Sequence, residues 1–421
     1  MYYKYYEKIV NDILISKNEI EIKEGIGTYI KNERLSQGLK QQYVCKDLCS
    51  VSYYSRIENN VIIPSDEHIT HIFKKLNIPI LENIIINPEI IKVFNDFINA
   101  IFHDQVELIE DHYNKFNSLN CFYKSDLVEF LYRNYKEDLT DGKELIKRIN
   151  SYKKIMSKFD LKLFLYGISE YYYLTNDYEK AIKYIELNLK LSTDQDIHIG
   201  KLYYIYAKIL SRINQSIRAF FYIFKAESFF NSQCNYNYFL KTQIFKGNEL
   251  IEPFPERAKL IFNEILNSSY LTIYTDRKAY CLYKLALIEK ITGNLEVSYQ
   301  YFIDLLANEN ECQIHLIIEF IDLLILMKKK NEAIIYYNQL IENPQLSEIN
   351  KWQLQHYQMS LFKTDENKLI HTLKNKLIPY ALNHYHYQLE FKWRKELITL
   401  YEKNQQYNEA CLQYQQILNK K

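Results

Sequence analysis

The chain has 421 residues, 48% of them hydrophobic and 25% charged, enough apolar material for more than one core. Lys+Arg 53 against Asp+Glu 52 leaves a formal net charge of +1, which excludes a globally basic nucleic-acid or membrane-surface binder and confines electrostatic function to local patches. With only 8 Gly and 7 Pro there is too little turn chemistry for a many-stranded β protein, so the expected fold class is all-α.

The opening stretch MYYKYYEKIVNDILIS carries Lys4, Glu7, Lys8 and Asp12, so it lacks the apolar run of a signal sequence, and no later stretch is apolar for long enough to span a membrane. Residues 1–24 are read as an N-terminal extension with no assigned role. The cysteines (Cys45, Cys49, Cys121, Cys234, Cys281, Cys312 and Cys411) are scattered, odd in number and free of any Cys-x-x-Cys pair. That pattern argues against a disulfide framework or a structural zinc site and fits a reducing, cytoplasmic setting.

Residues 25–80 differ in pattern from the rest of the chain. GIGTYIKNERLSQG suits a helix ending at Gly38, LKQQYVCKDL a short second helix, SVSYYSRIENN a third with Ser50 as its N-cap, and a fourth begins after IIPSDEH with Ser65 as cap. Ile26, Ile30, Leu35, Leu39, Val44, Leu48, Tyr54, Ile57, Ile69, Phe73 and Leu76 fall at helical spacing and are expected to face inward. Tyr54, Ile57 and Glu58 then share the inner side of the third helix, which turns Val51, Ser52, Ser55 and Arg56 outward with Tyr53 at the flank. Such a strip starts at a helix N-terminus, carries hydroxyls and ends in a guanidinium, chemistry that suits base edges in a major groove. Ser50 and Asn59 border it, and Lys40 and Gln41 are expected to approach a phosphate at the start of the second helix. The local balance is modest: Lys31, Arg34, Lys40, Lys46, Arg56, Lys74 and Lys75 against Glu33, Asp47, Glu58, Asp66 and Glu67, or +2. Such a charge allows few phosphate contacts, so a homodimer reading an inverted-repeat operator in double-stranded DNA is expected.

On IKNERLSQGLKQ, VSYYSRIENN and IPS, this segment resembles the Cro/cI-type helix-turn-helix domain. The resemblance implies a partly buried ion pair between Arg34 and Glu58. The sequence departs from the pattern at Asn60, where a glycine is usual, and at Leu48 and Cys49, where a glycine often turns the chain. The alternative is that residues 25–80 merely cap the helices C-terminal to them.

After a linker at 81–94, residues 95–421 repeat a two-helix cadence, clearest in LKLFLYGISEYYYLTNDYEKAIKYIELNLKL. A small residue recurs on the second helix at Ala181, Ala219, Ala258, Ser298, Ala333 and Ala410, in steps of 38, 39, 40, 35 and 77. Helix-turn-helix units of this length with a small residue at the crossing are the signature of tetratricopeptide arrays. Ile168, Ser169, Tyr172, Asn176, Tyr178 and Ala181 match that motif best. About nine units are expected, forming a right-handed α-solenoid; a solenoid of another repeat type is the alternative. Such stacking makes a groove lined by first helices, where Tyr166, Glu170, Tyr173, Tyr204, Lys208, Gln243, Asn248, Tyr280 and Tyr283 are candidates for a short linear peptide. Asn248 is the first choice for a clamp on the peptide backbone. The terminal units, with Trp393, Leu397, Leu400 and Tyr401, are the candidate dimer surface.

A Cro/cI-type segment joined to such repeats resembles the RRNPP family of peptide-sensing regulators. The resemblance implies a cytoplasmic transcription factor that dimerises through its repeats and binds a signalling peptide. It also leaves open a repeat scaffold that binds a response regulator or phosphorelay protein under peptide control. Catalytic readings find no support: there is no Gly-rich phosphate loop, His68/His71 and His384/His386 lack a third ligand, and no nucleophile lies beside a base. No cofactor or metal is expected.

Overall fold

The computed structural model describes Glu7, Val10 and residues 26–59, 61–62, 64–77, 88–118, 122–152, 156–268, 276–308, 314–362, 365–384 and 386–418. Among these, every regular element is a helix. By compactness the chain divides into two units, Met1–Ile209 with Phe221–Phe239 and Leu210–Phe220 with Leu240–Lys421. The division falls among the repeats, not at the expected linker.

The first four helices are α1 (Ile26–Ser36), α2 (Gln41–Cys45), α3 (Val51–Glu58) and α4 (Asp66–Lys75). Their core is Ile30, Val44, Cys45, Tyr54, Ile57, Ile69, Ile72, Phe73 and Leu76, with Leu39, Leu48 and Tyr53 packed at its edge. Each large side chain so buried contributes about 1.5–3 kcal/mol. Leu35 does not join them: it is 56% exposed. Ile30 and Arg34, one turn apart, already define the inner face of α1, and Leu35 lies a further 100° round the helix. Asn60 and the side chain of Ile26 lie outside the described residues.

Chain reversal between α2 and α3 is made by Asp47, whose φ of 64° lies in the left-handed region. The amides of Leu48 and Cys49 both donate to the carbonyl of Cys45. The turn that a glycine would serve is thus made one residue earlier by an aspartate, a residue that tolerates this conformation.

Nine helix pairs make up the remainder of the described residues. The first unit holds α5 (Pro88–His103) with α6 (Val106–Asn117), α7 (Phe122–Tyr135) with α8 (Gly142–Ser151), and α9 (Lys158–Leu174) with α10 (Tyr178–Leu191). Next come α11 (Ile199–Arg212) with α12 (Ser216–Ser232), and α13 (Tyr236–Leu250) with α14 (Pro255–Leu266). The second unit continues with α15 (Asp276–Thr292) and α16 (Leu295–Asn308), then α17 (Ile314–Leu326) and α18 (Lys330–Ile341). Helix α19 (Glu348–Leu361) pairs with α20 (Glu366–Thr372), which runs through a π-turn at Leu373–Leu377 into α21 (Ile378–Asn383). The last pair is α22 (Tyr387–Lys403) and α23 (Tyr407–Leu418). The expected linker overlaps this array: residues 81–87 lie outside the described residues, and the next seven belong to α5, with Phe94 buried.

Ala181, Ala219, Ala258, Ser298, Ala333 and Ala410 are all buried, at 3% exposure or less. A larger side chain there would hold the paired helices apart. At Ser298 the hydroxyl donates to the carbonyl of Ala286 at 2.7 Å, so its polar atom is satisfied. The turns share a second feature. Asp104, Asn176, Asn214, Cys234, Gly293, Lys328 and Gln405 have positive φ, and each stands two residues before the next helix. Only one of them is glycine, which explains how so many sharp turns coexist with so few glycines.

Candidate functional site

The outward strip of α3 is built from its N-terminus. Ser50, in extended conformation, accepts from the amide of Tyr53 at 3.1 Å and starts the helix, and Tyr54, Ile57 and Glu58 are buried on the inner side. With that side fixed, Val51, Ser52, Arg56 and Asn59 are exposed and Ser55 is partly so. Tyr53, at the flank, sets its ring against His68 with 5.5 Å between centroids. The side-chain amide of Asn59 donates to the carbonyl of Ser55 at 2.9 Å, and Lys31 donates to its oxygen at 3.3 Å. Lys40 is exposed.

The inner side is held by charge. Arg34 donates through Nε to Glu58 Oε1 at 2.6 Å and through Nη2 to Oε2 at 3.0 Å, while Nη1 reaches the carbonyl of Leu39 at 2.6 Å. This two-pronged geometry orders α1, the α1–α2 turn and α3 together. Gln41 spends its amide on the same carboxylate, at 2.7 Å, so the structure places its side chain in the ion pair and not free at the helix start. Burial pushes the Glu58 carboxyl up, but the hydrogen bonds from Arg34 and Gln41 outweigh it and hold the group below its ordinary value. Gln37 donates to the carbonyl of Leu76 at 2.7 Å, closing α1 onto the end of α4.

In the first unit, the candidate groove residues divide into two groups. Tyr166 is buried, its ring 4.9 Å from that of Phe102, and its hydroxyl donates to Glu170 at 2.7 Å. Around them the end of α5 is held from helices far along the chain: Lys201 donates to the carbonyl of Ile101 at 2.7 Å and Asn235 to that of Phe102 at 3.2 Å, while Asn237 bonds Asp104. The Lys201 cation and the Asn235 amide thus satisfy helix C-terminal carbonyls and complement the dipole. Burial pushes Glu170 up and Lys201 down, each opposed by the charge of the other. Tyr166 therefore belongs to this interior, a correction to its expected place on an open groove, while Glu170, which accepts from it, is partly exposed. By contrast Tyr173, Tyr204 and Lys208 are partly exposed, and the Lys208 ammonium sits over both rings, at 5.0 and 5.5 Å from their centroids.

In the second unit, Gln243 and Asn248 are partly exposed on α13. Asn248 donates through Nδ2 to the Tyr280 hydroxyl at 2.8 Å, and its Oδ1 is buried without a hydrogen-bond partner. Tyr280 is 37% exposed, whereas Tyr283 is packed against Phe302 and His315. Lys284, not among the residues expected from the sequence although it follows Tyr280 as Lys208 follows Tyr204, stands one turn after Tyr280 and lies 5.0 Å from its ring centroid and 5.2 Å from that of Tyr283. Beyond it runs a charged network: Lys290 reaches Glu319 at 2.6 Å and Asp322 at 3.0 Å, and Lys392 reaches Asp322 at 2.6 Å. Burial would raise Asp322, but the two ammonium groups hold it well below the ordinary carboxylate range.

At the end of the array, Trp393, Leu397 and Tyr401 are buried in a core with Leu373, Leu377, Ile378 and Ala410. They are not the open surface expected of them, because residues 373–381 and α23 pack against them, and Leu400 is partly buried at the edge of the same core. The exposed apolar side chains there are Tyr407, Leu412, Tyr414 and Leu418. Among the described residues no group of three or more His, Cys, Asp or Glu has the arrangement of a metal site, and no helix is long and apolar enough to cross a membrane.

A compact four-helix segment with an outward third helix, joined to paired helices with buried small crossings, defines a helix-turn-helix protein with an α-helical repeat array. A helix-turn-helix family model matches residues 30–83. Among solved structures, the chain is similar to the apo form of the quorum sensor NprR from B. thuringiensis, with a TM-score of 0.65 and 17% identity over 79% of this chain and 99% of that one. It is also similar to NprR in complex with its cognate peptide NprX, with a TM-score of 0.62 and 18% identity over 79% of this chain and 98% of that one. A Rap protein complexed with Competence and Sporulation Factor gives a TM-score of 0.61 and 14% identity over 79% and 97%. At these identities the likeness is one of fold. No curated protein matches the chain.

Proposed function

We propose that the protein is a DNA-binding transcriptional regulator controlled by a short linear peptide bound to its repeats. The observation that carries the first half is α3: its inner side is locked by Arg34 and Glu58, and its outer side presents Ser52 and Arg56 to solvent. Hydroxyls and a guanidinium beside a helix N-terminus suit base edges, and Lys40 with Asn59 border them. The second half is supported by the partly exposed Tyr173, Tyr204, Lys208, Gln243, Asn248 and Tyr280 on first helices, and by the fold shared with a receptor solved with its peptide. A peptide acts here through differential affinity for two conformations, with a coupling typically of about 1–3 kcal/mol that DNA must return to the peptide.

The functional form is a homodimer on an inverted repeat, since a segment of charge +2 makes few phosphate contacts by itself. The exposed apolar residues of α23 supply its contact, in place of the buried Trp393 and Leu397. The test is selection of the full chain on random duplex DNA, with and without short peptides isolated from the cell that makes it. An enriched inverted repeat whose retention changes with peptide supports the reading, and uniform retention of all sequences removes it. Asn248→Ala is expected to abolish the peptide effect while leaving peptide-free DNA binding intact.

A second reading, a repeat scaffold that binds a response regulator or phosphorelay protein, is favoured by the fold shared with the Rap protein. Loss of phosphate from a phosphorylated response regulator only when the protein is present would select it.

A further inference from the structure

The lysines of the second unit are unequally matched. Lys290 and Lys392 share the carboxylates of Glu319 and Asp322, so three ammonium groups including Lys284 face two carboxylates. Lys284 is the one left over: among the described residues no carboxylate lies within 4.0 Å of it, and Tyr280 and Tyr283 hold it in place by their ring faces. Burial pushes its pKa down and the more distant charge of Glu319 does not make up the difference, the response of an ammonium that lacks a counter-charge of its own. Beside it, on the Asn248 side chain that donates to Tyr280, a buried amide oxygen lacks a donor. A ligand that completes both must offer an anionic group and a hydrogen-bond donor, which a peptide supplies together as a carboxylate and its N–H groups.

The same pair occurs earlier. Tyr204 and Lys208 stand 76 residues before Tyr280 and Lys284, two repeats back at the same register, and Lys208 also lies over two tyrosine rings with no carboxylate partner among the described residues. We infer that Lys284, positioned by Tyr280 and Tyr283 and accompanied by Asn248, is a subsite for a carboxylate of the bound peptide, with Lys208 a second copy of the device in the first unit. The inference rests on the peptide-receptor reading and adds the chemistry that the peptide must carry.

The test uses the full chain, immobilised, and three pools of random short peptides: with a free C-terminal carboxylate, with a C-terminal amide, and with a free carboxylate but no Asp or Glu. Retained peptides are quantified by mass spectrometry. A charge-assisted contact of this kind predicts on the order of tenfold lower retention for one of the two altered pools. Loss from the amide pool assigns the C-terminal carboxylate, and loss from the acid-free pool assigns an acidic side chain. Lys284→Gln should weaken the preference, Lys284→Gln with Lys208→Gln should erase it, and Lys284→Arg should keep it, with the variants melting as the wild type does. Equal retention of all three pools by the wild type, or an unchanged preference in Lys284→Gln, overturns the subsite while leaving a peptide receptor. If no pool is retained at all, the receptor reading fails and takes the subsite with it.

Discussion

Arg34 and Lys284 are both cations set among apolar neighbours, and their surroundings differ in one respect. Around Arg34 the donors have acceptors: the Glu58 carboxylate takes two bonds and the carbonyl of Leu39 a third. Around Lys284 there are ring faces and, within ion-pair distance, no carboxylate among the described residues. A closed pair makes a rigid support, and its neighbours on α3 gain a fixed direction from it. An open cation holds its shape through tyrosines and keeps its donors for something else. The difference teaches where to look for function in this chain: beside the closed charges, and at the open ones.

The sharpest way to break the contrast is to open the closed pair. Arg34→Ala leaves the Glu58 carboxylate buried without the guanidinium, and should destabilise the helix-turn-helix segment by about 3–5 kcal/mol. Hydrogen exchange of the amides in residues 26–77 of the full chain measures this directly. Arg34→Met combined with Glu58→Leu removes both charges and should recover most of the loss. Exchange in Arg34→Ala as slow as in the wild type would mean that the pair supports nothing.

His198 shows a third way to keep a polar group inside, which is to leave it uncharged. It is buried beside Phe102 and Tyr166, and its Nε2 lies 3.1 Å from both Asn188 Oδ1 and Ser192 Oγ. Burial pushes its pKa down to about 4 from 6.5. The folded value lies below the unfolded one, so its contribution is fully present above 6.5 and is lost as the pH falls through about 4. A shift of this size corresponds to about 3 kcal/mol when complete. Thermal unfolding of the first unit should therefore weaken between those pH values, and the slope should be shallower in His198→Gln. Equal slopes in the two proteins would assign the acid sensitivity to other groups.

On the outer side of α3 the effect is smaller and of a different kind. Arg56→Ala should lower affinity for a selected operator by about 1–3 kcal/mol, with less loss on random duplex and no change in melting. Equal weakening on both DNAs would reduce Arg56 to a phosphate contact.

Local chemistry was legible in the sequence, and distant partners were not. Ser50 and Ser65 could be read as caps because a cap needs only its own helix, and Ala181 or Ala333 as crossings because a period exposes them. Tyr166 could not be placed, since what buries it includes Phe102, at the helix end held by Lys201. The same holds for Trp393 and Leu397, which look like an open terminal face until Leu373, Leu377, Ile378 and Ala410 close over them. Leu35 failed for a subtler reason. Its helix gives the inner position to a charged residue, Arg34, which no apolar periodicity would select.

The smallest effect separates support from contact at a single atom. Ser50 borders the proposed DNA face, yet its hydroxyl already accepts from the Tyr53 amide at 3.1 Å. As a cap it is worth about 1 kcal/mol against alanine and only a few tenths against glycine, which leaves the helix end open to water. Ser50→Ala should therefore destabilise the helix-turn-helix segment measurably and Ser50→Gly hardly at all. DNA affinity supplies the second axis. If the hydroxyl only starts the helix, Ser50→Gly binds the selected operator as the wild type does and Ser50→Ala weakens it in step with stability. If both substitutions lose the same affinity although only one loses stability, the hydroxyl also touches DNA, and Ser50 belongs to the open side of the contrast with Arg34.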